Sequence, residues 1–255
     1  VKILHFADAH SRDKDIDEAS KCLNFIVETA AKEAVDLVVF AGDFFHSQEI
    51  KLDSLSAKLA IKTVSRLADI APVAIVLGTA SHDGHAPEIL SFARGKHDVF
   101  VASYPQQVYL ENGFFFDRPA GGKEPDAVIS FCPPPTKQFF QSASDISGVD
   151  LEIGAAMSGL FAGFGAQAAE HKAPHILIYH GCISGATASN GQQMTGRDIL
   201  ISRDQIALAG VSLCLCGHLH LPQELGEGMF YSGSIYSVDF GEDHEHGFYI
   251  HEVAA

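Results

Sequence analysis

Ile3–His10 reads ILHFADAH, Asp36–His46 reads DLVVFAGDFFH and Pro72–Asp83 reads PVAIVLGTASHD. Each is a short apolar run that stops at Asp or His. Two later runs end the same way, HILIYHG at His175–Gly181 and SLCLCGHLH at Ser212–His220. Such runs read as strands buried on both faces. Between the first three lie stretches with helical spacing. Asp15–Ala34 carries Ile16, Ala19, Leu23, Ile26, Val27, Ala30 and Ala34 along one face, behind an acidic start of Asp13, Asp15, Asp17 and Glu18. Asp53–Asp69 repeats the pattern, with Leu55, Leu59, Val64 and Leu67 inward and Asp53 or Ser54 as cap. A β-α-β-α-β opening implies a parallel sheet with right-handed crossovers. Ligands of such sheets gather outside the carboxyl ends of the strands, which is where these Asp and His residues fall.

The remainder reads as more strands and one more helix. Val99–Val101, Gln107–Glu111 and Ala127–Phe131 have strand character, with a turn at Glu111-Asn112-Gly113. Arg118–Pro125 and Pro133-Pro134-Pro135 are loops. Asp150–Glu170 places Ile153, Met157, Leu160, Phe161 and Phe164 on one helical face. Its glycines at 154, 159, 163 and 165 cost about 1 kcal/mol each against alanine, so close packing is expected there. His175–Tyr179 and Leu213–Cys216 are buried strands separated by a polar loop, Thr187–Arg197. Phe230–Ser234 and Gly247–Glu252 are expected to complete a second sheet. No repeat or linker divides the chain, so residues 1–255 read as a single α/β domain with a two-sheet core flanked by helices.

Length and composition suit one large globular domain: 255 residues, 47% hydrophobic, with 18 Phe and no Trp. The formal net charge of −15 argues against a free-standing protein that grasps the DNA backbone with a basic face. DNA remains compatible if a basic partner presents it. The five cysteines are odd in number, and four lie in apolar stretches, which predicts reduced packing residues and a cytoplasmic location. The uncharged stretch Ile153–Ala169 is too short and too rich in Gly, Ala, Ser and Gln to span a bilayer, so no membrane role is expected.

The chemistry sits at the strand ends. Asp8-x-His10 and His218-x-His220 each place two side chains on the same side of an extended segment. Gly42 lets the backbone turn before Asp43, and His180 ends its own run. Carboxylate and imidazole together suit Mn²⁺, Fe²⁺ or Zn²⁺ better than Ca²⁺. Asp8, His10, Asp43, His180, His218 and His220 are too many for one tetrahedral ion. They suit two ions about 3.5–4 Å apart, a pair that acidifies a bridging water and clamps phosphate oxygens.

The order Asp-x-His, Gly-Asp-x-x-His, His-Asp, His, Gly-His-x-His resembles that of the calcineurin-like metallophosphoesterases. Gly42-Asp43-Phe44-Phe45-His46, Gly217-His218-Leu219-His220-Leu221-Pro222-Gln223, Tyr231-Ser232-Gly233-Ser234 and Asp239-Phe240-Gly241-Glu242 look like the SbcD-type DNA repair nucleases. The resemblance implies a four-layer α-β-β-α sandwich of two mixed sheets. It implies that Asp8, His10, Asp43 and His220 hold one divalent ion, most readily Mn²⁺, and that Asp43, His180 and His218 hold the second. His82 would protonate the leaving oxygen, oriented by Asp83, and His46 would contact the scissile phosphate. DNA substrate, exonuclease and endonuclease activity, a homodimer and an SbcC-like ATPase partner are implied too. The family's small capping domain and ATPase-binding segment have no counterpart within residues 1–255.

One stretch departs from the resemblance. The family pattern Gly-Asn-His-Asp supplies an amide oxygen to the second ion, whereas this chain has Gly78-Thr79-Ala80-Ser81-His82-Asp83. Ser81, which precedes the His, is the expected substitute through its hydroxyl or a water. Glu242–His246 (EDHEH) reads as a solvated turn. His85, His97, His171, His175 and His251 read as structural, and Arg94, Lys137 and Arg197 as secondary candidates for phosphate contact.

Overall fold

The computed structural model describes residues 1–119, 123–135, 149–189, 199–238 and 241–254. Lys137, Arg197, most of the Thr187–Arg197 loop and the first two residues of the DFGE motif lie outside them.

The apolar run at each strand becomes a fully buried strand because it is covered on both faces. β1 (Lys2–Phe6), β2 (Leu37–Phe40), β3 (Val73–Val76) and β4 (Val99–Ala102) run parallel in one sheet. A second sheet holds β5 (Gln106–Glu111), β6 (Phe114–Phe116), β7 (Ala127–Cys132), β8 (His175–His180), β11 (Leu213–Gly217), β12 (Gln223–Gly226) and β13 (Met229–Tyr231) in the order β12-β13-β11-β8-β7-β5-β6. β7, β8, β11 and β13 are mutually parallel, and β12, β5 and β6 join antiparallel, so the sheet is mixed. β9 (Cys182–Ile183) and β10 (Leu200–Ile201) form a small parallel pair beside it.

Three apolar layers separate four layers of structure. Ile3, Leu37, Val39, Ala74 and Val76 of the first sheet meet Ile129, Phe131, Ile176, Ile178 and Leu215 of the second. α1 (Ile16–Glu33) and α2 (Leu55–Ala68) cover the first sheet's outer face through Leu23, Ile26, Val64 and Leu67. α3 (Val149–Ala168) and the short α4 (Arg203–Ala207) cover that of the second through Ile153, Met157, Phe161, Phe164 and Ile206. This is the expected α-β-β-α sandwich of two mixed sheets.

Local expectations fare unevenly. Ser54 is the α2 cap, its hydroxyl accepting Ala57 N–H at 3.1 Å, but Leu55 at the first turn is 51% exposed because that turn overhangs the sheet. In α3 only Gly165 shows the close approach expected of its glycines: a Cβ there would lie 2.6 Å from the Leu208 carbonyl oxygen, while Gly159 and Gly163 face open space. The last strand, β14 (Tyr249–Glu252), is a correction. It does not complete the second sheet. It pairs antiparallel with the free edge of β1, with Ile3 opposite His251, and makes the first sheet mixed and five-stranded in the order β14-β1-β2-β3-β4.

Candidate metal centre

The carboxyl ends of β1, β2 and β3 in one sheet and of β8 and β11 in the other converge at the same edge of the sandwich. Cross-sheet hydrogen bonds tie them together. His218 N–H donates to both oxygens of Asp8, at 3.0 and 2.9 Å. His180 Nδ1 donates to the Ala41 carbonyl at 2.6 Å. Within the first sheet the loop after β1 zips onto the loop after β2, with Asp8 N–H to Gly42 O and His10 N–H to Asp43 O both at 3.0 Å. The tight turns have a backbone signature. Asp8, His10, Asp43 and His218 all have positive φ, at 51°, 39°, 57° and 97°. Such conformations are rare for non-glycine residues and concentrate at functional sites. Gly42, at φ 91°, is obligatory, since a Cβ would meet His180 Nδ1 at 2.4 Å. Gly78 leaves room for the Asp43 carboxylate, which a Cβ would meet at 2.1 Å.

Two triads of side chains with mutually close donor atoms result, Asp8/His10/His220 and Asp43/His180/His218. His10 Nε2 and His220 Nε2 face one another at 3.0 Å. Asp43 Oδ2 lies 3.3 Å from His180 Nε2 and 3.9 Å from His10 Nε2, so one carboxylate oxygen stands between the two triads. His180 Nε2 is buried and finds no hydrogen-bond partner, although Asp43 is near. His10 Nδ1 is likewise buried without a partner. The orphaned His180 Nε2, with His10 Nε2 and His220 Nε2 facing one another beside the Asp8 and Asp43 carboxylates, makes the donor set of a divalent transition-metal site, so the residues fit a pair of ions.

The electrostatics point the same way. Burial pushes the Asp8 carboxyl up to about 6, against the pull of His180 and His220. Burial also raises Asp43, but His180 and then His10 outweigh it and hold that carboxylate below its usual range. Burial alone would lower His180, yet Asp43 beside it lifts its pKa to about 9. Burial holds His10 well below the ordinary histidine value. A cation bound there would displace the His180 proton and favour the ionised form of Asp8.

The remaining expected residues sit around this pair, with two reassignments. His82 joins His10 and His46 in a third close triad. Its Nδ1 donates to the His46 carbonyl at 2.8 Å, which leaves Nε2 for the site. Asp83 does not orient it. The buried Asp83 carboxylate instead accepts three backbone N–H groups, from Asp43 and Gly78 at 2.9 Å and Phe45 at 3.0 Å, and so staples the loops after β2 and β3. Burial and the Asp43 charge lift its pKa to about 7, against those three donors. Ser81 is exposed and reaches only the Thr79 hydroxyl, at 3.4 Å. Thr79 stands where Ser81 was expected. Its N–H is 2.6 Å from Asp43 Oδ1, and its hydroxyl is 3.1 and 3.2 Å from the two carboxylate oxygens. The two added residues loop outward, and the residue after Gly78 keeps the inward position.

Three pairings escape the sequence: Gln223 and Glu242 lie in family-like motifs and Arg12 in none, but no motif names their partners. Arg12 Nη1 donates to His46 Nε2 at 3.1 Å, and the same guanidinium pairs with Asp15. Glu242 binds His220 Nδ1. Gln223 clasps Thr187, accepting its N–H at 2.9 Å and donating to its carbonyl at 2.8 Å. Arg94 bonds carbonyls of its own segment, Ser91 and Ala93. Among the described residues no helix is long and apolar enough to cross a membrane. None of the five cysteines forms a disulfide, and four of them are buried.

Comparison with known proteins agrees with this geometry. The chain is 22% identical to 244L of Invertebrate iridescent virus 6, a protein named as a phosphoesterase, over 96% of this chain and 74% of that one. It is 32% identical to the DNA double-strand break repair protein Mre11 of Aeropyrum pernix over 88 residues, 32% of this chain and 21% of that one. Two solved structures share the fold at low identity. GAP50 of Plasmodium gives a TM-score of 0.60 at 14% identity over 98% of this chain and 80% of that one. A dimetal phosphatase from Danio rerio gives 0.53 at 10% over 98% and 91%. The calcineurin-like phosphoesterase pattern matches residues 1–222. With the matched span holding every Asp and His of the two triads, the chain belongs to the calcineurin-like phosphoesterase family.

Proposed function

We propose that the chain is a dinuclear metal-dependent phosphodiesterase that cuts DNA, of the SbcD nuclease type. The observation that carries the reading is the single carboxylate oxygen of Asp43 standing between the Asp8/His10/His220 and Asp43/His180/His218 triads. Two divalent ions bound there would supply Lewis-acid stabilisation of charge on the phosphoryl oxygens. The mixed oxygen and nitrogen donors favour Mn²⁺, with Fe²⁺ or Zn²⁺ as substitutes.

The chain's own residues do the rest. Asp8 and Asp43 are fixed by backbone N–H donors, so their oxygens face the site without reorganisation. His82, with Nδ1–H tied to a carbonyl, has Nε2 free to take up a proton and, in that protonated form, to hand it to the departing sugar oxygen. His46, whose Nε2 accepts from Arg12, is held as the Nδ1–H tautomer, a neutral donor for a phosphate oxygen. DNA as substrate draws support from the SbcD-like motifs and from the Mre11 match, which is partial. With a net charge of −15, the chain would rely on a basic partner, such as an SbcC-like ATPase, to present DNA. A homodimer belongs to the same proposal.

The acidity also favours a second reading, a phosphoesterase of small diesters or monoesters, since fold alone does not choose a substrate. Incubation in Mn²⁺ with end-labelled DNA and with bis(p-nitrophenyl) phosphate separates the two. Cleavage of both supports the nuclease. Turnover of the small diester with intact DNA, even with the ATPase partner present, rejects it. No hydrolysis at all would favour a non-catalytic scaffold.

A further inference from the structure

We propose that Glu242 is the positioning residue of His220, and that the stretch Glu242–His246 is thereby a built part of the centre. The proposal rests on the two-ion reading above and adds a residue to it. Glu242 is the first residue of an EDHEH stretch whose polarity suggests a solvated turn, yet its side chain is only 3% exposed. One carboxylate oxygen binds His220 Nδ1, and the other accepts Val238 N–H at 2.8 Å. His244 Nε2 donates to the His220 carbonyl at 2.9 Å, and Ser234 N–H reaches the same carbonyl at 3.2 Å. Ser234 is held in turn by His246 Nδ1 at 3.0 Å. Ring and backbone of His220 are therefore gripped from one segment.

The consequence is a tautomer. A carboxylate can only accept, so His220 must carry its proton on Nδ1. Its Nε2 lone pair then faces His10 Nε2 at 3.0 Å, inside the Asp8/His10/His220 triad. Two other inward histidines use the same device with a different acceptor. His180 donates Nδ1–H to the Ala41 carbonyl and His82 to the His46 carbonyl. His220 stands beyond the end of β11 and has no strand carbonyl alongside. A carboxylate from a distant segment takes that place. Charge-assisted bonds of this kind are about twice as strong as neutral ones, and partners behind a metal-binding histidine typically affect affinity about 10- to 100-fold. Only one triad contains His220, so the effect is confined to one of the two ions.

Calorimetric Mn²⁺ titration of the full chain, wild type against Glu242→Gln and Glu242→Ala, tests this together with long-range ¹H–¹⁵N imidazole spectra of the metal-free protein. Wild type should bind two ions and show His220 as the Nδ1–H tautomer. Both variants should lose about 10- to 100-fold in affinity at one site and keep the other. Glu242→Gln should add nothing in a His220→Ala background. Unchanged affinities, an equal loss at both sites with a lowered melting temperature, or an Nδ1–H His220 persisting in Glu242→Ala would overturn the proposal. Fewer than two ions in wild type would instead reject the two-ion reading, and the spectra would still decide what Glu242 does.

Discussion

His82 is the residue whose role is most exposed to test. Its Nδ1 is fixed by the His46 carbonyl and it belongs to neither the Asp8/His10/His220 nor the Asp43/His180/His218 triad. His82→Ala should therefore lower turnover by about 10²–10⁴-fold, the usual scale for a general acid, while calorimetry still finds both ions. Loss of an ion along with activity would make it a ligand instead. Thr79 carries a second residue-scale prediction. Its hydroxyl donates to a charged, buried carboxylate, so Thr79→Val should cost about 1.5 kcal/mol of metal-free stability in urea unfolding. Ser81→Ala, at an exposed position, should stay within about 0.5 kcal/mol. Equal costs would contradict the placement of Thr79 against Asp43. The convergence of these Asp and His residues was legible because Asp and His at the ends of apolar runs have few other reasons to recur. Thr79 and Arg12 were not, because a hydroxyl or a guanidinium gives no pattern until the chain brings it to its partner, and Glu242 was legible as part of a motif but not as the partner of His220. Asp83 was legible as important but not in what it does, since its partners are backbone N–H groups that sequence does not display.

At the scale of elements, β14 shows where pattern reading stops. Its alternation is real, but alternation does not say which sheet edge a strand will join. It lands on β1, where His251 packs against His5, Phe230 and Tyr249. Burial holds the His251 pKa down to about 4, from an ordinary 6.5, and its Nε2 has no partner. In the pH interval between those values the unfolded chain binds the proton and the folded chain does not, so stability is full above about 6.5 and falls as pH drops toward 4. His175, buried and bonded to the Ala209 carbonyl, is lowered to about 4 by burial as well and adds to the same loss. His251→Phe removes one of the two groups and suits the apolar neighbours. Denaturant unfolding at pH 7 and pH 5 should show a smaller acid loss in that variant than in wild type; an identical loss would mean that His251 is not held neutral.

The whole molecule is a clamp between two sheets. Neither of the two Asp-containing triads comes from one sheet alone: Asp8, His10 and Asp43 come from the first, His180, His218 and His220 from the second. The layer of Ile, Val and Phe side chains between the sheets fixes their relative position, and the bonds from His180 to Ala41 and from His218 to Asp8 lock the edge. A two-sheet core flanked by helices followed from the order of apolar runs and amphipathic helices, and its four-layer order from the family resemblance. Which edge pairs with which, and how Gly78–Asp83 folds around two added residues, depends on contacts far apart in sequence. The central claim is that this edge holds two ions that share Asp43. Anomalous diffraction from a crystal grown in Mn²⁺ measures it directly. The account predicts two peaks about 3.5–4 Å apart, one against Asp8, His10 and His220, the other against His180 and His218, with an Asp43 oxygen between them. A single peak, or two peaks of which only one touches Asp43, would contradict it.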